Sequence, residues 1–122
     1  MQINDTNIWC VIPVYNNAKT LRNVVKECKK HLNNILVVDD GCTDANITEL
    51  LSGLDVTVIK HDKNRGKGKA LATAIKYLDA KNATYMITID ADGQHYPDDI
   101  PKFIQIIKEN LMLHANLQKI IK

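Results

Sequence analysis

The chain has 122 residues, 45% hydrophobic and 25% charged, with a formal net charge of +2. These are the proportions of one ordinary folded domain. They exclude a disordered or collagen-like chain and leave no charge footprint for nucleic acid. Cys10, Cys28 and Cys42 are odd in number and lack CxxC or Cys/His spacing, which argues against a disulfide framework or zinc site and for a reducing cytoplasm; no signal peptide and no apolar run of about 18 residues is seen.

Short apolar runs alternate with longer segments of helical period, the pattern of βαβ units around a parallel sheet. The first run, Asn7 to Tyr15, is nearly all apolar, as a strand buried on both faces should be. Pro13 cannot donate to a ladder, so the strand is expected to open into a loop at Tyr15 to Asn17. A helix over about Ala18 to Leu32 follows, with Leu21, Val24, Val25 and Cys28 on its inner face.

The second strand, "NILVVDD", ends at Asp39 and Asp40, and Gly41 makes the turn. Thr43 or Asp44 is expected to cap the short helix "NITELLSGL" through a side-chain oxygen. The third strand runs from Asp55 to His61. The basic loop "KHDKNRGKGK" then leads into the helix "ALATAIKYLDAK", whose inner stripe reads Leu71, Ala74, Ile75 and Leu78. The fourth strand is "TYMITID", Thr84 to Asp90, and Pro97 stands where a first-turn proline opens the helix "DDIPKFIQIIKEN". The last residues, "LMLHANLQKIIK", give no strand signal and read as a helical continuation over 110–122.

Three strands end in loops with unusual polar residues, all on one sheet edge, and ligands of open α/β sheets bind outside the carboxyl ends of strands. In "DADGQH", residues two apart on a strand face the same way, so Asp90 and Asp92 converge if the strand continues, with the small Ala91 between them. Close carboxylates repel unless a proton or cation intervenes, and a hard ion such as Mg²⁺ or Mn²⁺ suits oxygen ligands. An exposed Asp-Gly turn is the other reading. An EF-hand is excluded, because the glycine is at the wrong offset and Pro101 stands where the bidentate acid belongs.

Asp39 and Asp40 either cap the following helix or accept hydrogen bonds from a nucleobase or ribose. The glycines of "NRGKGKA" let backbone approach a phosphate, and Arg65, Lys67, Lys69 and a helix N-terminus favour negative charge, although the Walker spacing is absent. Tyr15 is placed to stack on a base. His31, His61 and His114 read as solvated, His95 lies near the acids, and Trp9 and Phe103 read as core.

"VIPVYN", "VVDDGCTD", "NRGKGKAL" and "TIDADGQH" occur in this order, and the combination resembles family 2 glycosyltransferases of the GT-A fold. The form "DADGQH" is most similar to the branch with dolichyl-phosphate mannose synthases and polyprenyl-phosphate glycosyltransferases. The resemblance covers roughly residues 7 to 109. It implies a Rossmann-like α/β domain over residues 1–122, a parallel sheet in order 3-2-1-4 flanked by helices, and inverting sugar transfer from a UDP- or GDP-linked donor to a polyprenyl phosphate or glycan.

Carried over residue by residue, the resemblance implies that Pro13, Tyr15 and Asn17 line the nucleotide pocket and that Asp39 or Asp40 contacts base or ribose. It also implies Lys67 near the nucleotide, Asp90 and Ala91 against ribose and diphosphate, and Asp92 with Gln94, as a DXD-type motif, holding Mg²⁺ or Mn²⁺. Asn17 stands where many members carry an acid. The family's second half, with the acceptor pocket and general base, has no counterpart here, so the chain is expected to be a truncated donor-binding half, working in the cytoplasm or at the membrane's inner face. The fourth strand's outer edge is then left unpaired, and Leu111 to Ile121 is expected to cover it or to pack against a second chain, giving a homo-oligomer through the sheet edge or the C-terminal helix. A catalytically inactive nucleotide-binding or assembly module is the alternative. A receiver-like signalling domain fits less well, because its acidic pair should follow the first strand.

Overall fold

The computed structural model describes residues 8–93, 97–110 and 119–121. Its sheet contains strands β1 (Ile8–Val14), β2 (Ile35–Asp39), β3 (Thr57–Lys60), β4 (Tyr85–Thr88) and β5 (Lys119–Ile121), in order β3-β2-β1-β4-β5. Every neighbouring pair is parallel. The connections carry helices α1 (Ala18–Lys29), α2 (Ile47–Leu50), α3 (Lys67–Ala80) and α4 (Ile100–Asn110), the last preceded by a 3-10 turn at Pro97–Asp99. The expected order 3-2-1-4 is therefore present, with a further strand outside it.

The central strands are apolar up to their carboxyl ends, as both faces are covered. Cys10, Ile12 and Val14 of β1, Ile35 and Val37 of β2 and Ile87 of β4 share one core cluster with Leu21, Val24, Val25 and Cys28 of α1. The alternate residues Val11, Leu36, Val38 and Met86 share the other with Ala70, Ala74 and Leu78 of α3. This period of two assigns α1 and α3 to opposite faces. Each fully buried Val, Leu or Ile contributes roughly 1.5–3 kcal/mol of transfer free energy, so these runs dominate the fold's stability.

Four expectations need correction. Lys119–Ile121 is a strand rather than part of a helical tail, and it pairs with Tyr85, Met86 and Ile87. A three-residue Lys-Ile-Ile run is too short for periodicity to classify, and the edge of β4 offers unpaired backbone groups that a strand satisfies. The rest of the tail, 111–118, lies outside the described residues, as does His114. The inner row of α3 is Ala70, Ala74 and Leu78, while Ile75 is exposed. Residues spaced by four form one row, and its alanines let the helix lie close to β1 and β2.

The cap of α2 is Asn46, whose Oδ1 accepts from the Glu49 amide at 3.1 Å. Asp44 instead accepts from the Ala18 amide at 3.0 Å, so it closes the N-terminus of α1 across the loop. Finally, β4 ends at Thr88, and residues 91–93 form a turn with Gly93 at φ +82°. Strand alternation therefore does not bring Asp90 and Asp92 together.

Trp9 and Phe103 pack against the two clusters, as expected. Trp9 meets Tyr77 edge to face with ring centroids 5.9 Å apart. No helix among the described residues is long and apolar enough to cross a membrane.

Candidate functional site

The carboxyl ends of β1, β2 and β4 and the loop before α3 surround a cleft of about 370 Å³. Pro13, Tyr15 and Asn17 line it from the β1 side, and Asp40 from β2. Asn64, Gly66 and Lys67 contribute from the basic loop, and Asp90, Ala91 and Asp92 from the segment after β4. Tyr15 is 44% exposed, which suits a ring presented to a ligand rather than to the core. Eight of the residues singled out in the sequence thus share one cleft. Gln94 and His95 lie outside the described residues.

Each wall is held by side chains that bind the backbone of a neighbouring loop. Asn16, at φ +53°, accepts from the Thr43 amide at 2.8 Å and the Asp44 amide at 3.3 Å, tying the β1 loop to the β2 loop. Thr20 of α1 donates its hydroxyl to the Ala91 carbonyl, which fixes the turn between Asp90 and Asp92. Gly41 has φ +76°, and a Cβ built on it lies 2.4 Å from the Asn64 nitrogen. The β2 turn and the basic loop are therefore in direct backbone contact, which only glycine permits.

Asp39 and Asp40 are both buried, and they have different partners. Asp39 Oδ1 accepts from the Cys42 amide at 2.9 Å, a turn-closing bond, and Asp39 is not among the described residues lining the cleft. Asp40 accepts from the Arg65 amide at 2.9 Å and the Gly66 amide at 2.9 Å. The His61 Nδ1 lies 2.8 Å from Asp40 Oδ1. Burial works against ionisation of Asp40, but the Arg65 amide, His61 and the Gly66 amide outweigh it and hold the carboxyl below its usual range.

His61 is thus not the solvated residue its sequence position suggests. Its Nε2 is 2.8 Å from Thr73 Oγ1 on α3, and its side chain is 9% exposed. Sequence reasoning missed this role, although the signal was available: His61 immediately follows a strand, on the same edge as the acids. His31 also has a partner, with its Nε2 3.3 Å from Asp98 Oδ1.

Across the cleft, Lys67 Nζ lies 2.9 Å from Asp90 Oδ1. The ion pair is half exposed, so it adds little stability, but it sets a cation beside the acids and at the first residue of α3. Among the described residues no group of three or more His, Cys, Asp and Glu side chains is clustered to hold a metal. Mg²⁺ is typically held by one or two protein carboxylates, with water and substrate phosphates completing its shell. The described residues therefore do not form an all-protein cage for an ion.

A parallel sheet with a polar cleft at its carboxyl edge, a glycine-rich basic loop and an acidic turn defines a Rossmann-like α/β domain with a ligand cleft at its strand ends. The chain belongs to glycosyl transferase family 2, whose family model matches residues 9–117.

Among curated proteins, it is 38% identical over 121 residues to the UDP-N-acetylglucosamine–dolichyl-phosphate N-acetylglucosaminyltransferase of Methanococcus voltae, an alignment covering 84% of this chain and 48% of that protein. An uncharacterised protein of Methanocaldococcus jannaschii is 40% identical over 105 residues, covering 85% of this chain and 43% of the relative. The undecaprenyl-phosphate 4-deoxy-4-formamido-L-arabinose transferase of Yersinia pestis is 31% identical over 123 residues, covering 89% and 36%. The chain therefore spans less than half the length of each of these relatives.

Proposed function

We propose that the cleft binds a nucleoside diphosphate sugar and that the whole protein transfers the sugar, with inversion, to a polyprenyl phosphate at the cytoplasmic face of a membrane. The observation that carries this reading is the set of opposed groups on one sheet edge: Tyr15 at the β1 end, Asp40 at the β2 end, Lys67 at the start of α3, and Asp90 with Asp92 after β4. Relatives named for polyprenyl-phosphate and dolichyl-phosphate transfer support the acceptor class.

In this reading Tyr15 stacks on the base and Asn17 offers it hydrogen bonds. Asp40, rather than Asp39, is the carboxylate within reach of base or ribose. Lys67 and the first amides of α3 attract the diphosphate, and Ala91 leaves room for it beside Asp90. Asp92, with Asp90 and Gln94, would hold Mg²⁺ or Mn²⁺, which supplies Lewis-acid stabilisation of charge on the leaving diphosphate. A phosphate acceptor is already anionic, so it attacks without a general base, whereas a glycan hydroxyl needs one.

A thermal-shift screen with UDP and GDP, each with and without Mn²⁺, tests the reading. Stabilisation by one nucleotide that increases with Mn²⁺ is the expected result. Absence of any shift with either nucleotide refutes it. Binding without donor hydrolysis or transfer favours the nucleotide-binding module instead.

A further inference from the structure

The buried imidazole of His61 is not among the described residues that line the cleft. It sits where three elements meet. Its backbone amide donates to the Asp39 carbonyl at 2.8 Å, which fixes it at the end of β3. Its ring spans from Thr73 on α3 to Asp40 at the end of β2, both at 2.8 Å. An ionised carboxylate only accepts, so Nδ1 carries the proton toward Asp40, and in the neutral ring Nε2 accepts from the Thr73 hydroxyl.

The two amides on Asp40 belong to Arg65 and Gly66. Gly66 is the N-cap of α3, and Lys67 is its first residue, whose ammonium reaches Asp90. A continuous set of contacts therefore runs from Thr73 through His61 and Asp40 to the backbone that aims Lys67. With three donors on its two oxygens, Asp40 retains about one acceptor position for a ligand.

We propose that His61 is a positioning residue for the donor diphosphate: it holds the Asp40 carboxylate against the Arg65 and Gly66 amides and so sets Lys67 opposite Asp90. This rests on reading the cleft as a nucleotide diphosphate site. Losing the imidazole removes a donor to a buried anion and loosens the start of α3, while every residue that touches ligand is still present. Affinity should then fall without loss of any contact residue.

The test is titration calorimetry of UDP and GDP with Mn²⁺ on the wild-type chain and on His61→Ala, His61→Asn and His61→Gln. Amide hydrogen exchange at Arg65 and Gly66 is measured in parallel. An Asn side-chain N–H mimics Nδ1, whereas Gln mimics Nε2. His61→Ala and His61→Gln are expected to lose about tenfold in affinity, equal to about 1.4 kcal/mol, together with protection at the two amides. His61→Asn should recover most of both.

A purely structural role does not predict that asymmetry. Equal affinity in all four proteins, or no better binding by His61→Asn than by His61→Gln, overturns the proposal. If His61→Ala fails to fold, the Asn and Gln variants still decide it. Failure of the wild-type chain to bind either nucleotide refutes the reading of the cleft itself, and the positioning role with it; unchanged affinity in the variants refutes the role of His61 alone.

Discussion

Replacing Gly41 with alanine is expected to destabilise the fold and open the cleft together. Gly41 has φ +76°, and the added Cβ would lie 2.4 Å from the Asn64 nitrogen, 2.4 Å from the Lys63 carbonyl carbon and 2.8 Å from its Cα. All three are backbone atoms, so no side chain can swing away. Holding an L-residue in that left-handed conformation costs about 1–2 kcal/mol. Forcing the two loops apart adds about 1–3 kcal/mol on the scale of overpacked interiors. The expected loss, about 2–5 kcal/mol, is a large share of the roughly 5–15 kcal/mol by which domains are stable.

Gly53→Ala supplies the control, because Gly53 has φ +86° and no atom within 4 Å of the added Cβ. Urea unfolding followed by circular dichroism should place Gly41→Ala at least about 1 kcal/mol below Gly53→Ala. Because the displaced backbone leads to the Arg65 and Gly66 amides on Asp40, nucleotide affinity should also fall in Gly41→Ala and not in Gly53→Ala. Equal stability of the two variants would refute the argument that close backbone approach, rather than the turn conformation alone, requires glycine at 41.

Asp92→Ala is expected to keep the fold, since Asp92 is exposed, and to abolish the Mn²⁺-dependent part of nucleotide binding; equal affinity with and without Mn²⁺ in the wild-type chain removes the metal assignment. Asp40→Asn should destabilise the chain at neutral pH. Because the native pKa of Asp40 is depressed, its contribution is present above the ordinary value of 3.8 and is lost as pH falls below it, so the difference between wild type and variant should shrink on acidification. A difference that stays constant down through that window contradicts the linkage. The Cys42 thiol is pushed up to about 12, first by burial and then by Asp39 and Asp44 against the Asn16 amide. It should therefore react with iodoacetamide at pH 8 far more slowly in the native chain than in urea, and equal rates would count against its half-buried setting between the acids.

How much of the site was readable depended on whether a residue acts through its place at a strand's end or through a distant partner. Tyr15, Asp40, Lys67, Asp90 and Asp92 follow apolar runs or precede a helical period, and parallel topology brings such positions to one edge. His61 and Asp44 satisfy partners 21 and 26 residues away in sequence, and local pattern carries no information about such pairs.

The sequence by itself determined the parallel α/β class and the sheet edge that carries the cleft, because burial on both faces and βα alternation are properties of local hydrophobic pattern, while the strand order came from the family resemblance. Tertiary structure alone decided that Asp40 binds the basic loop while Asp39 closes a turn, that Gly41 touches Asn64, and that Lys119–Ile121 joins the sheet as a strand. These outcomes depend on which buried donors, acceptors and open strand edges come within hydrogen-bonding distance once the layers pack. Free energy at that scale is set by contacts between segments remote in the chain.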